Sequence, residues 1–269
     1  MKPILLELTA YCKEAGISFF VIGATARDIM MEMHNATSGR LTYDLDIAIT
    51  VNDWEQWKKV EEEITNLKNF KKDPNQKQRF LYREKFPLDI VPLGDIMKTN
   101  HKIFWPPNEE LAMSVLGFTA AGESALKVKI DNETEIKIAS LTGIFILKII
   151  AWKDRNQTNN KDADDIGFIL GNYLSIHEER AATTYYEEVY AAEPFKSTTA
   201  GAVLLGKDIN DLLKNHQETI APILEILNEA LNNKEESKLI NQIIETHKSL
   251  NYEEVLQSIQ NIVDGLRQK

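Results

Sequence analysis

Apolar positions recur at Ile4, Leu5, Leu8 and Cys12, a helical stripe over residues 3–16 that Gly16 should end. Residues 17–22 are apolar with little interruption and predict a buried strand. Gly23 follows at once, and helical spacing resumes from Ile29 onward. Residues 34–40 have the composition of an exposed loop. The run 41–49 reads as a second buried strand, after which Asn52 is placed to cap a helix through Trp54, Trp57, Val60 and Ile64. From Gln78 the chain alternates through Phe80 and Tyr82 into an apolar strand over residues 86–92. Two short strands over 126–130 and 135–138 flank a turn at 131–132.

The pattern then changes period. Ser140 or Thr142 should cap a long apolar helix ending near Arg155, and a second helix opens at Lys161 after a polar loop over 156–160. Heptad-like spacing through Ile209, Leu213, Ile223, Leu227 and the 239–266 stretch predicts a helical bundle, with Gly201 to Gly206 marking a break inside it. The expected fold is an α/β (α+β) domain over residues 1–140 followed by an all-helical domain over residues 141–269.

Composition narrows the class. Of 269 residues, 43% are hydrophobic and 27% charged, which is the balance of a folded globular protein. The net charge of −10 argues against a broad nucleic-acid surface, although a local basic patch could still serve one. Cys12 is the only cysteine, so neither an internal disulfide nor a cysteine-based zinc site is available. No signal peptide and no apolar run of membrane-spanning length is visible, so a cytoplasmic protein without membrane contact is expected.

The candidate chemistry lies where carboxylates interrupt apolar strands. Asp44 and Asp46 are two residues apart and so share one strand face. Two like charges at the edge of a core need compensation, and a divalent cation such as Mg²⁺ suits their oxygens. A strand that simply starts in water would give the same pattern. Asp89, alone inside Leu88-Asp89-Ile90-Val91, also needs a partner, and the same metal is the expected one. Gly23-Ala24-Thr25-Ala26-Arg27 joins a strand to a helix, which is an anion-binding geometry to which Thr25 adds a hydroxyl and Arg27 a cation; a plain turn is the alternative. Residues 68–85 are locally basic, either a solvated turn or a surface for phosphates. Trp54 and Trp57 are expected to pack rather than to stack on bases. Lys148, Trp152 and Arg155 share one helix face, and Lys148 either snorkels to water or is aimed at an anion.

Taken together, a strand ending in Gly23, a helix carrying Arg27, the Asp44-Leu45-Asp46 strand and a later strand with Asp89 resemble the DNA polymerase β-like nucleotidyltransferase superfamily over residues 17–93. The family commonly has Gly-Gly or Gly-Ser at the turn where this chain has Gly23-Ala24, which removes the usual serine contact to the triphosphate. Leu147-Lys148 with Ala151-Trp152, then Asp154-Arg155 and Lys161-Asp162 with Asp165-Ile166, is similar to the corresponding region of AbiEii-type nucleotidyltransferases, the toxin half of bacterial toxin–antitoxin and abortive-infection pairs. The resemblance implies a mixed-sheet catalytic domain, an NTP donor and an acceptor hydroxyl, of which a tRNA 3′ end is one and a protein or an aminoglycoside-like small molecule another. It implies two Mg²⁺ ions, with Mn²⁺ as a substitute, on Asp44, Asp46 and Asp89. It places Lys148 among the catalytic residues and gives nucleotide contacts to Gly23, Ala24, Thr25, Arg27, Arg155, Lys161 and Asp162, with Asp165 structural. An antitoxin partner comes with the same group. Two other classes fit the residues: a non-catalytic nucleotide-binding module on the same fold, and a partner-binding helical protein acting through its acidic surface.

Overall fold

The computed structural model describes every residue except 38, 40, 41, 108, 111, 131–133, 192 and 269. Within it the chain divides into two units, Met1–Ser140 and Leu141–Lys269.

The first unit opens with α1 (Lys2–Ala15), which has Pro3 in its first turn and ends where Gly16 adopts the left-handed conformation at φ 67° and donates to the Cys12 carbonyl. Then come β1 (Phe19–Ile22), α2 (Gly23–Met33), β2 (Leu45–Val51), α3 (Trp54–Asn66), β3 (Phe70–Lys72), β4 (Arg79–Tyr82) and β5 (Phe86–Gly94). The unit continues with β6 (Lys102–Phe104), β7 (Ala112–Ser114), α4 (Phe118–Glu123), β8 (Leu126–Lys129) and β9 (Glu135–Ile138). Seven strands form one sheet in the order β3-β4-β5-β2-β1-β9-β8, and β6 pairs with β7 separately. The sheet is mixed, because β2 runs parallel to β5 and β1 parallel to β9 while the remaining pairs are antiparallel.

The centre of this sheet is its most apolar part. Val21, Leu45, Ile47, Leu88 and Ile90 are fully buried, each contributing roughly 1.5–3 kcal/mol of transfer free energy. That anchorage fixes the register of β1, β2 and β5, and with it the face on which their polar residues stand. Trp57 is buried, and the Trp54 and Trp57 rings each lie 5.5 Å from Trp105, so both tryptophans are packing residues. The cap of α3 falls one residue later than expected. Asp53, not Asn52, accepts the Gln56 backbone N–H at 2.7 Å, and the Gln56 side chain takes the Asn52 N–H in return. The turn expected at 131–132 lies outside the described residues.

The second unit is all-helical: α5 (Leu141–Arg155), α6 (Lys161–Ile176), α7 (Glu178–Thr183), α8 (Tyr186–Tyr190), α9 (Ser197–Leu212), α10 (Gln217–Asn233), α11 (Lys238–Thr246) and α12 (Tyr252–Arg267). Thr142 is no cap: it lies inside α5, and its hydroxyl meets the buried Tyr173 hydroxyl at 2.7 Å. Tyr173 in turn donates to Asp208, which also receives the Arg180 guanidinium. The break expected between Gly201 and Gly206 is absent, because both glycines lie inside the continuous helix α9.

Their role is close approach between helices. A Cβ on Gly201 would stand 2.9 Å from the Leu174 backbone nitrogen, and one on Gly206 would stand 3.0 Å from the backbone of Ile262. Gly265 on α12 faces Gly206, where an added Cβ would meet the Gly206 carbonyl carbon at 2.6 Å. Since backbone cannot yield as a side chain can, Gly265→Ala is expected to cost about 1–3 kcal/mol through overpacking. A thermal melt checks this, and an unchanged midpoint would contradict the packing role.

Candidate active site

Register assembles the site in the first unit. Leu45 and Ile47 are buried, so the intervening Asp46 stands on the other face of β2, half-buried. Asp44 immediately precedes β2, which begins at Leu45 rather than at residue 41, and is also half-buried. Asp89 on β5 is the register partner of Asp46, and on neighbouring strands such partners project to one face. Arg79 on β4 is opposite Asp89, and Ile22 on β1 is opposite Asp46. A single row therefore runs Arg79, Asp89, Asp46, Ile22 and ends at the turn into α2.

The partner of Asp89 in this structure is Arg79. Its Nε donates to Oδ1 at 2.7 Å and its Nη2 to Oδ2 at 2.8 Å, a bidentate pair that remains partly solvent-accessible. The hydrogen bond to Asp89 raises the Arg79 pKa against the opposing effect of burial, and the charges of Asp89, Asp44 and Asp46 all add to the rise. One cation thus answers three carboxylates.

At the turn, Gly23 has φ +66°, and a Cβ there would lie 2.5 Å from Oδ2 of Asp46. The missing side chain lets the carboxylate lie against the backbone where α2 begins. Helix α2 starts at Gly23 itself, earlier than the spacing from Ile29 indicated, so the unsatisfied N–H groups of a helix first turn belong to residues 23–26. Ala24, Thr25 and Arg27 are all buried. The Thr25 hydroxyl donates to the Asp44 carbonyl at 3.1 Å. Arg27 has no exposed surface, and its Nε and Nη2 donate to Asp28 Oδ1 at 3.0 and 2.8 Å. Asp28 Oδ2 accepts the Thr42 hydroxyl at 3.1 Å. The hydroxyl and the cation expected to face a triphosphate therefore brace the segment that leads into β2.

Among the described residues, no three His, Cys, Asp or Glu side chains stand close enough to share one metal ion. The half-buried carboxylates of Asp44 and Asp46 are oxygen donors of the hard kind that Mg²⁺ and Mn²⁺ take. Both oxygens of Asp89 are held by the guanidinium. The donor chemistry fits a hard divalent cation at Asp44 and Asp46, with Asp89 beside them.

Three residues of the basic 68–85 run form ion pairs. Lys72 pairs with Glu61 at 2.5 Å and lies over the Phe80 ring, Lys71 reaches Glu84 at 3.6 Å, and Arg79 holds Asp89. Lys68, Lys71 and Arg83 line an open pocket of about 450 Å³.

The second unit holds a charge cluster. Lys148 Nζ lies 2.6 Å from Asp165 Oδ2 and 3.4 Å from Asp162 Oδ1. Arg155 binds Asp162 bidentately, at 2.6 Å through Nε and 2.8 Å through Nη2. Both carboxylates are buried while Arg155 is exposed, and Lys161 is exposed at the start of α6. Burial pushes the Asp162 pKa up, but the Arg155 hydrogen bond and the Lys148 charge outweigh it and bring the pKa below the usual carboxylate value. Trp152, on the same face of α5, donates to Gln242 at 2.7 Å. Sequence reasoning missed Arg79 as the partner of Asp89, and Asp28 and Thr42 altogether. The alternation through Gln78, Phe80 and Tyr82 was the signal that could have placed Arg79 on the Asp89 face.

A mixed sheet with a strand–glycine–helix turn beside a row of aspartates is the arrangement of a nucleotidyltransferase domain. The comparisons with known proteins specify the kind. Residues 5–260 match the family described as nucleotidyl transferase AbiEii toxin, type IV TA system, and the chain belongs to that family. It is accordingly a nucleotidyltransferase. Among solved structures, the chain is similar to an antigenic nucleotidyltransferase-like protein from Paracoccidioides brasiliensis. The two are 14% identical with a TM-score of 0.42, over 82% of this chain and 91% of that one. No curated protein matches the chain. Among the described residues, no helix is long and apolar enough to cross a membrane.

Proposed function

We propose that the chain transfers a nucleoside monophosphate from an NTP to an acceptor hydroxyl and releases pyrophosphate, using Asp44, Asp46 and Asp89. The observation that carries this reading is the register of Asp46 with Asp89, with an Asp46 oxygen lying against the Gly23 turn. The acceptor oxygen forms a bond to the α-phosphorus as the bond to the β-phosphate bridging oxygen breaks, and the hydroxyl proton passes to Asp89. Asp44 and Asp46 would hold Mg²⁺, or Mn²⁺ in its place, with Asp89 completing a second site. When bound, the metal polarises the α-phosphate and offsets the charge of the departing pyrophosphate. Gly23 and the following backbone N–H groups receive phosphate oxygens at the helix start. Arg27, Thr25 and Asp28 hold the Asp44 segment in place for that step.

The acceptor we place first is a tRNA 3′ hydroxyl, with Lys68, Lys71 and Arg83 on the phosphate side. We read the chain as the toxin of a type IV pair working on cytoplasmic NTP, with an antitoxin as its genetic counterpart. The test is incubation of the purified chain with total tRNA, Mg²⁺ and each α-labelled NTP in turn. Label joined to tRNA with one NTP is the expected result. Label on protein, or none on any RNA, would overturn the tRNA assignment.

A further inference from the structure

We infer that Arg79 is a positioning residue that keeps Asp89 out of the metal-binding set until a phosphate-bearing substrate takes over its guanidinium. The inference rests on the carboxylate-row reading above and adds an order of events to it. The first ground is geometric. Arg79 places one N–H on each Asp89 oxygen, at 2.7 and 2.8 Å, so the pair uses the Nε–Nη2 edge of the guanidinium and both oxygens of the carboxylate. With Asp89 so held, no three acidic side chains among the described residues are grouped to share a metal ion.

The second ground is that β4 does not depend on this pair for its place. Phe80 is fully buried and Tyr82 is 7% exposed, and both anchor the strand through apolar contact. Arg79, by contrast, keeps 23% of its side chain accessible and Asp89 keeps 15%, so a ligand in solvent can reach the pair.

The third ground is charge. Asp44, Asp46 and Asp89 lie close enough for the charge of each to act on Arg79, which is a cation paired with Asp89. Guanidinium binds phosphate with the same bidentate fork it offers to carboxylate. Arrival of a phosphate group therefore exchanges one good pair for another, and Asp89 becomes available as a ligand only when substrate is present. Metal alone should meet two carboxylates, and metal with substrate three.

The experiment is a titration of the full chain with Mn²⁺ alone, with free Mn²⁺ read by electron paramagnetic resonance. The wild type is compared with Arg79→Ala, Asp89→Asn and the double variant carrying both. Arg79→Ala should tighten Mn²⁺ binding about tenfold, the value of one charged hydrogen-bonded pair, because Asp89 is released. In the Asp89→Asn background the same change should have no effect. Tightening of equal size in both backgrounds would mean a general charge effect and would overturn the latch. Unchanged or weaker binding in Arg79→Ala would also overturn it, as a purely scaffolding role. Should Arg79→Ala not fold, Arg79→Lys keeps the charge without the fork, and should tighten binding by a smaller factor that again depends on Asp89; no Asp89-dependent tightening there overturns the latch as well. Asp44→Asn/Asp46→Asn separates this inference from the broader reading: if that variant binds Mn²⁺ as the wild type does, the carboxylate row itself is not the metal site.

Discussion

Asp46→Asn should give a folded protein whose nucleotidyl transfer is reduced at least about a thousandfold, the equivalent of roughly 4 kcal/mol of transition-state stabilisation. Two features of β2 make the fold insensitive to this change. Asn matches Asp in shape, and the strand is held by Leu45, Ile47 and Ile49, which are buried on the opposite face. Removing one of several neighbouring negative charges also relieves repulsion rather than creating it. Activity is expected to depend on the same carboxylate for two reasons. Its oxygen lies against the Gly23 turn, and it is in register with Asp89, so no other side chain can take its position. Pyrophosphate release measured beside a melting curve checks both halves. Turnover within threefold of wild type by a folded variant would remove Asp46 from the reaction.

Lys148→Ala should destabilise the helical unit by about 3–5 kcal/mol, the cost of removing one partner of a buried ion pair. Asp165 has no exposed surface and lies 2.6 Å from Lys148 Nζ, while Arg155 binds Asp162 bidentately. Lys148 is therefore a close counter-charge to Asp165. Adding Asp165→Asn to Lys148→Ala should recover part of the loss, since a buried charge goes with it. Urea unfolding at neutral pH measures both. A loss below about 1 kcal/mol for Lys148→Ala would show that the pair carries no structural weight. This effect has to be separated from any change in nucleotide affinity, which makes the double variant the proper background for binding experiments on Lys148.

How far the sequence foretold these arrangements depends on the range of the interaction. Period-2 alternation in an apolar strand is a local signal, so the two-residue spacing of Asp44 and Asp46 and the isolated Asp89 marked the carboxylate row directly. Gly23 was legible for the same reason, because a strand, a glycine and a helix follow one another without interruption. The pairing of Arg79 with Asp89 needed the antiparallel register of β4 on β5, which local pattern does not specify. Thr25 and Arg27 were read as a hydroxyl and a cation for an anion at the turn, and the packing of α2 turns both inward to the segment before β2. Gly201 and Gly206 show tertiary context overriding propensity. Glycine weakens an isolated helix, but here it permits α9 to approach α6 and α12 closely enough for backbone contact. Lys148 left two readings open, water or an anion. In the structure the carboxylates of the next helix, Asp162 and Asp165, lie beside it, a pairing that depends on how α5 packs on α6.

The central claim is that Asp44 and Asp46 bind an NTP through a divalent cation. Isothermal titration of the full chain with each NTP, with and without Mg²⁺, tests it most directly when run beside Asp44→Asn/Asp46→Asn. The expected result is Mg²⁺-dependent binding of one NTP by the wild type, lost in the folded double variant. Equal NTP binding by both proteins, with or without Mg²⁺, would contradict the claim and place the nucleotide elsewhere.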